Sequence, residues 1–81
     1  RQYLSFKLKE LGFKVYDSSA NFLFFYGQEN LAQECKKLGV LIRDCSNYYG
    51  LKAGYFRIAV RTHKENEELI GIMQEIVNTQ N

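Results

Sequence analysis

Phe22-Leu23-Phe24-Phe25-Tyr26-Gly27-Gln28-Glu29-Asn30-Leu31-Ala32-Gln33-Glu34-Cys35-Lys36-Lys37-Leu38-Gly39-Val40-Leu41-Ile42-Arg43 is the stretch that decides the fold. The run from Phe22 to Tyr26 lacks apolar/polar alternation, as expected of a central strand covered on both faces. From Glu29 to Leu38 the apolar positions Leu31, Ala32, Cys35 and Leu38 recur at helical spacing, and Gly39 supplies a left-handed stop. Val40-Leu41-Ile42-Arg43 then reads as another buried strand. The stretch is a strand, a helix and a strand in immediate succession.

Working upstream, Leu4, Leu8 and Leu11 lie at helical spacing with lysines between them, and Gly12 ends that helix. No Ser, Asp or Asn stands before the pattern as an N-cap, which is how a helix reads when the chain has been cut inside it. Phe13-Lys14-Val15-Tyr16 alternates as a short strand with one solvated face, and Asp17-Ser18-Ser19 reads as a turn. Downstream, Asp44 to Gly54 is a Ser-, Asn-, Tyr- and Gly-rich loop leading into the strand Tyr55-Phe56-Arg57-Ile58-Ala59-Val60. Thr62-His63-Lys64-Glu65 has capping-box spacing. The helix it opens carries Leu69, Ile72, Met73, Ile76 and Val77 opposite Glu67, Glu68, Gln74 and Glu75. This order describes an α/β (α+β) two-layer sandwich, in which a small mixed or mostly antiparallel sheet of about four strands packs with three helices.

Eighty-one residues hold one core, so residues 1–81 are read as a single domain. With 25% charged residues and a net charge of +2, the chain is neither a disordered tail nor a strongly basic nucleic-acid arm. No apolar run approaches the roughly 20 residues of a membrane helix, and no membrane partner is expected. Two cysteines, Cys35 and Cys45, make no disulfide framework, which favours a reducing, cytoplasmic setting. A Gly-rich phosphate loop and zinc-spaced cysteine pairs are missing, and His63 is the single histidine. Within a helix cap, His63 reads as a solvated structural residue. Cys35 lies on an apolar helix face and reads as core, whereas Cys45, in a polar loop, reads either as a packed thiol or as a ligand contact.

Arg43 ends an apolar strand and Arg57 lies inside one, where a guanidinium is unfavourable unless it meets an anion or lines a cavity. One reading is a salt bridge within the domain, to Asp44 or Glu10. The other is that both cations face an opening and hold an anionic substrate, which suits the planar fork of arginine. Spacing does not choose between them.

Ser19-Ala20-Asn21-Phe22-Leu23-Phe24-Phe25, Gly39-Val40-Leu41-Ile42-Arg43-Asp44-Cys45-Ser46-Asn47, Gly50-Leu51 and Tyr55-Phe56-Arg57-Ile58-Ala59-Val60, with Glu65-Asn66 following, resemble a known pattern in order and spacing. It is that of the C-terminal small domain of fold-type I pyridoxal-phosphate enzymes, in the subgroup of histidinol-phosphate aminotransferase and threonine-phosphate decarboxylase. The resemblance covers essentially the whole chain. It implies that Arg57 pairs with the substrate α-carboxylate, that Arg43 lies near the bound phosphate, and that Asn21 and Phe22 belong to a strand leading into the site by packing and backbone positioning. Holding the carboxylate also selects which bond at the substrate α-carbon is broken.

The resemblance further implies a larger parent with pyridoxal 5'-phosphate, a small-molecule amino-acid substrate, a large cofactor-binding domain and a homodimer. The Schiff-base lysine and the cofactor-binding residues belong to that large domain. None of Lys7, Lys9, Lys14, Lys36, Lys37, Lys52 and Lys64 is placed to replace the lysine, and the 81 residues alone are expected to be inactive and to bind no cofactor. The loop Cys45 to Leu51 and the ending Val60-Arg61 look more like the decarboxylase branch, in which the pathway is cobalamin synthesis. Aminotransferases usually read threonine-valine-glycine after the carboxylate arginine, and both activities stay open. Two other classes compete: a non-catalytic small-ligand-binding or oligomerisation module, and a nucleic-acid module stacking bases on Phe24, Tyr26, Tyr55 and Phe56. The unalternating aromatic run and the balanced charge argue against the latter.

Overall fold

Side chains on a strand point alternately to opposite faces, so the sorting of residues 22–26 and 55–59 governs the architecture. The computed structural model describes residues 2–16, 21–46 and 52–80. In chain order these form α1 (Gln2–Glu10), β1 (Lys14–Tyr16), β2 (Phe22–Tyr26), α2 (Leu31–Lys37), β3 (Arg43–Asp44), β4 (Tyr55–Ala59) and α3 (His63–Gln80). The turn expected at Asp17-Ser18-Ser19 and the loop residues 47–51 lie outside the described residues.

The four strands make one sheet in the order β1-β2-β4-β3, and every neighbouring pair is antiparallel. β2 and β3 both run against β4, so they are parallel to each other with β4 between them. The strand–helix–strand unit is therefore split by an inserted strand. In the β2/β4 ladder Leu23 faces Ile58 and Phe25 faces Phe56. These four side chains are buried with Leu4 and Leu8 of α1, Leu31 and Cys35 of α2, and Ile70, Met73 and Ile76 of α3, so all three helices cover one face. The fold is a two-layer α+β sandwich.

β2 departs from the sequence reading. It is not covered on both faces: Leu23 and Phe25 are buried, whereas Phe24 and Tyr26 are half-buried and Phe22 is exposed. The aromatic run therefore does alternate, with Phe24, Tyr26 and Tyr55 on one face and Phe56 in the core. Strand β3 is also shorter than the apolar run 40–43 implied, covering Arg43–Asp44 alone, and both residues are exposed. The cause is the end of α2. The Gly39 amide donates to Lys36 O (3.0 Å) and the Val40 amide to Cys35 O (2.9 Å), which wraps the chain around the helix terminus. The Val40 amide is then no longer free for a ladder, and Leu41 is left 82% exposed at the sheet edge.

The start of α3 follows its sequence signal. The Thr62 Oγ1 accepts the Glu65 amide (3.2 Å) and donates to the Glu65 carboxylate (2.9 Å). No described helix is long and apolar enough to cross a membrane.

Gly54 sets the entry to β4. It has φ +104, its carbonyl accepts the Gly27 amide at 2.8 Å, and a Cβ there would lie 2.7 Å from the Tyr26 ring. Gly54→Ala should cost at least about 1–2 kcal/mol from backbone strain alone. Urea unfolding checks this, and an unchanged midpoint contradicts the geometry.

Candidate functional site

Among the described residues, one edge of β4 has no strand partner beyond the two residues of β3, and the chain leaving α2 passes beside it. A cavity of about 380 Å³ opens there. Arg43, Arg57 and Arg61 line it together with Phe22 and Leu41, and the first turns of α3 supply Glu65, Asn66 and Leu69. The structure thus brings Arg43 and Arg57 to one opening. They are register partners across β3 and β4, so both lie on the sheet face away from the helices.

Like charges facing each other across a strand pair repel, and an anion between them removes that repulsion. Arg57 is half-buried and Arg43 exposed, so neither is as buried as the apolar sequence around them implied. Glu10, read alongside Asp44 as a candidate partner, holds Lys7 at 3.2 Å. Among the described residues no carboxylate pairs with Arg57. Its guanidinium lies instead over the Phe22 ring, 4.6 Å from the centroid. Phe22 thereby supports the cation without neutralising it, and the charge stays available to a ligand. Glu65, the nearest carboxylate in sequence to Arg61 on the rim, is already engaged by the Thr62 hydroxyl.

Asn21 immediately precedes β2 and does not line the cavity; it is exposed, with its carbonyl accepting the Val60 amide at 2.8 Å. Its visible contribution is therefore to the backbone, extending the β2/β4 ladder toward the cavity. His63 is exposed, 3.5 Å from Glu67 and edge-on to Tyr3. Cys45 is fully buried with its amide bonded to Tyr55 O (2.8 Å), so of its two sequence readings the packed thiol is the one observed. Burial raises the Cys45 thiol pKa, an effect partly opposed by the nearby Arg57 and Arg43. Cys35 is pushed from 9.0 to about 11, chiefly by burial and secondarily by Glu34. Among the described residues no cluster of three His, Cys, Asp or Glu could hold a metal ion.

Sequence reasoning missed Asn66 as a site-building residue. It is 5% exposed, accepts the Arg61 amide on Oδ1 (3.2 Å) and donates from Nδ2 to the Arg61 carbonyl (3.1 Å). This clasp ties the exit of β4 to α3 and fixes one wall of the cavity. The signal was present: Asn is a poor helix-interior residue unless its amide finds backbone partners. Asn66→Ala removes both part-buried hydrogen bonds to the Arg61 backbone and should cost about 1–2 kcal/mol in unfolding free energy.

A second expectation concerns the thiols. In the native chain at neutral pH both should resist alkylation, and both should react once it is unfolded. Because the folded Cys35 value lies above its ordinary one, the associated stability is complete below pH 9.0 and is lost as pH rises towards about 11. Thermal unfolding across that range reads the decline.

No protein-family model matches the chain. The histidinol-phosphate aminotransferase of Methanosphaera stadtmanae is 34% identical over 95% of this chain and 23% of its own length. The solved histidinol-phosphate aminotransferase of Clostridium acetobutylicum superposes with a TM-score of 0.90 at 26% identity, covering 98% of this chain and 26% of that one. L-threonine-O-3-phosphate decarboxylase of Porphyromonas gingivalis shares the fold, with a TM-score of 0.76 at 23% identity over 95% of this chain and 26% of that one. The chain spans about a fifth to a quarter of the length of the curated relatives it matches. In sequence and in fold it is related to one part of the histidinol-phosphate aminotransferases.

Proposed function

We propose that these residues form the C-terminal, substrate-binding small domain of a pyridoxal-phosphate-dependent enzyme acting on a phosphorylated amino acid or amine. The observation that carries the reading is the pair Arg43 and Arg57, register partners at the mouth of one cavity. Arg57, supported by Phe22, binds a carboxylate or an equivalent anionic group, and Arg43 binds the phosphate. A planar guanidinium meets either group with two parallel hydrogen bonds and so fixes orientation as well as affinity. Asn21 contributes by holding β2 against the end of β4.

The cofactor is not held by this chain. Among the described residues no lysine lines the cavity, and in this reading the residues that anchor pyridoxal phosphate belong to a larger domain. Taken alone, the 81 residues bind and orient, and chemistry requires the remainder. Such an enzyme is expected to be a cytoplasmic homodimer, a setting in which both thiols stay reduced. Amino transfer from histidinol phosphate is the activity favoured by the relatives' names. Decarboxylation of threonine phosphate rests on the loop after Cys45 and on the ending Val60-Arg61.

The complete polypeptide, supplied with pyridoxal phosphate, is assayed for amino transfer from histidinol phosphate to 2-oxoglutarate and for carbon dioxide release from threonine phosphate. Arg57→Ala should lower kcat/KM by roughly a hundred- to several-thousand-fold, as when a charge pair in a binding site loses one partner. Arg43→Ala should raise KM for the phosphorylated substrate and spare an unphosphorylated analogue. Unchanged kinetics in both variants would remove the assignment and leave a non-catalytic ligand-binding or oligomerisation module.

A further inference from the structure

Three arginines line the cavity, and the function proposed above occupies two of them. Arg61 is the third. It is exposed, and among the described residues no carboxylate pairs with it: the ion pairs join Lys7 to Glu10, Lys37 to Glu34 and His63 to Glu67. Glu65 and Glu68 line the same cavity from α3, and neither closes an ion pair with it.

The Arg61 backbone is nonetheless fixed from both sides. The Val60 amide bonds the Asn21 carbonyl at 2.8 Å, which carries the β2/β4 ladder one residue past the end of β4. The buried Asn66 amide then takes both the N–H and the carbonyl of Arg61. A polar side chain is thus buried in order to hold the main chain of an exposed cation. Fixing the Cα lowers the conformational freedom that a long side chain gives up when its head group binds.

The direction of Arg57 supplies the second observation. The ladder sets Phe24 opposite Arg57 and Phe22 opposite Ala59. Yet the Arg57 guanidinium lies over the Phe22 ring, 4.6 Å from its centroid, so it leans along β4 out of its own row and into that of Ala59. This is the direction of Arg61. It is also away from Arg43, which pairs with Arg57 on the β3 side of β4. Ala59, whose side chain is a single carbon, lines the cavity between the two cations. In an extended chain residues 57 and 61 are about 13 Å apart at Cα. From there two long side chains can reach one oxyanion from opposite sides, which is the geometry that planar guanidinium groups favour.

We propose that Arg61 is a further substrate-binding and specificity-determining residue, which takes the outer side of the anionic group held by Arg57 so that two guanidinium groups grip one carboxylate or phosphate above Ala59. The proposal rests on the function above for Arg57 as a ligand-binding residue, and it adds a consequence for selectivity. One guanidinium satisfies a single negative charge, whereas a second rewards further charge and further acceptor oxygens. A neutral amide or alcohol in that position is rejected, because it leaves two cations facing each other unneutralised.

The complete polypeptide, loaded with pyridoxal phosphate, tests this in two ways. Arg61→Ala should raise KM for the phosphorylated substrate roughly tenfold and leave kcat within about twofold, as when a charged hydrogen-bond donor is lost to substrate and transition state alike. Lys36→Ala removes the same charge from an exposed site on α2 outside the cavity and should change neither constant. The second readout needs no turnover: inorganic phosphate and acetate are titrated at constant ionic strength while the thermal unfolding midpoint is followed. The anion that fits the grip should raise the midpoint of the unsubstituted chain, and Arg61→Ala should remove most of that rise. Which of the two anions does so identifies the group as phosphate or carboxylate. An unchanged KM in Arg61→Ala overturns the proposal, and so does an anion-induced rise that this variant retains in full. An equal increase of KM in Lys36→Ala overturns it as well, by assigning the effect to overall charge. So does a lower kcat at unchanged KM with a lower midpoint in the absence of anion, which leaves Arg61 a structural role. Loss of activity in Arg57→Ala without any effect of Arg61→Ala removes this inference and keeps the enzyme. An Arg61-dependent anion effect without cofactor binding or turnover keeps the grip and removes the enzyme.

Discussion

The five-residue pairing of β2 with β4 is the constraint on which the rest depends. Its register puts Leu23 opposite Ile58 and Phe25 opposite Phe56, and with a period of two it must also put Phe24 opposite Arg57 and Tyr26 opposite Tyr55. A slip by one residue would present arginine and tyrosine to the helices and turn the core residues outward. The core and the candidate site are therefore two sides of one register. Gly54 at the entry and the Asn66 clasp at the exit hold the two ends of β4.

Where a physical signal is local, the sequence carried it. The capping box at Thr62 and the glycine stops at Gly12 and Gly39 correspond to observed helix ends, because each depends on residues a few positions apart. The apolar stripes of α1 and α3 were legible for the same reason. The reading failed where the decision was tertiary. An unbroken run such as Phe22–Tyr26 has no polar residue to reveal which face is uncovered, and aromatic side chains can partly bury one another on an open sheet. Val40–Ile42 is as apolar as a buried strand, yet its first amide is taken by the helix terminus, a competition that composition does not express.

The candidate site shows the same division. Arg43 and Arg57 stood out because each interrupts or ends an apolar segment, and their meeting at one cavity follows from β3 pairing with β4. Their partial exposure was not legible, since it depends on how little of β4 the short β3 covers. Phe22 and Asn66 were harder still. Each acts on an arginine, one through a ring face and the other through a main-chain clasp, and neither kind of contact leaves a spacing pattern.

Electrostatics and packing on the open face lead to one requirement. Two guanidinium groups side by side are tolerable in water, where screening weakens their repulsion, and become strongly unfavourable as solvent is withdrawn unless an anion joins them. The aromatic rings beside them have the opposite preference and gain from every element that excludes water. The rings Phe24, Tyr26 and Tyr55, in mutual contact, and the Arg57 guanidinium over Phe22 thus place opposite solvation preferences on one sheet face. Both preferences are set through the same strand β4, in a unit whose helix-side core involves neither group.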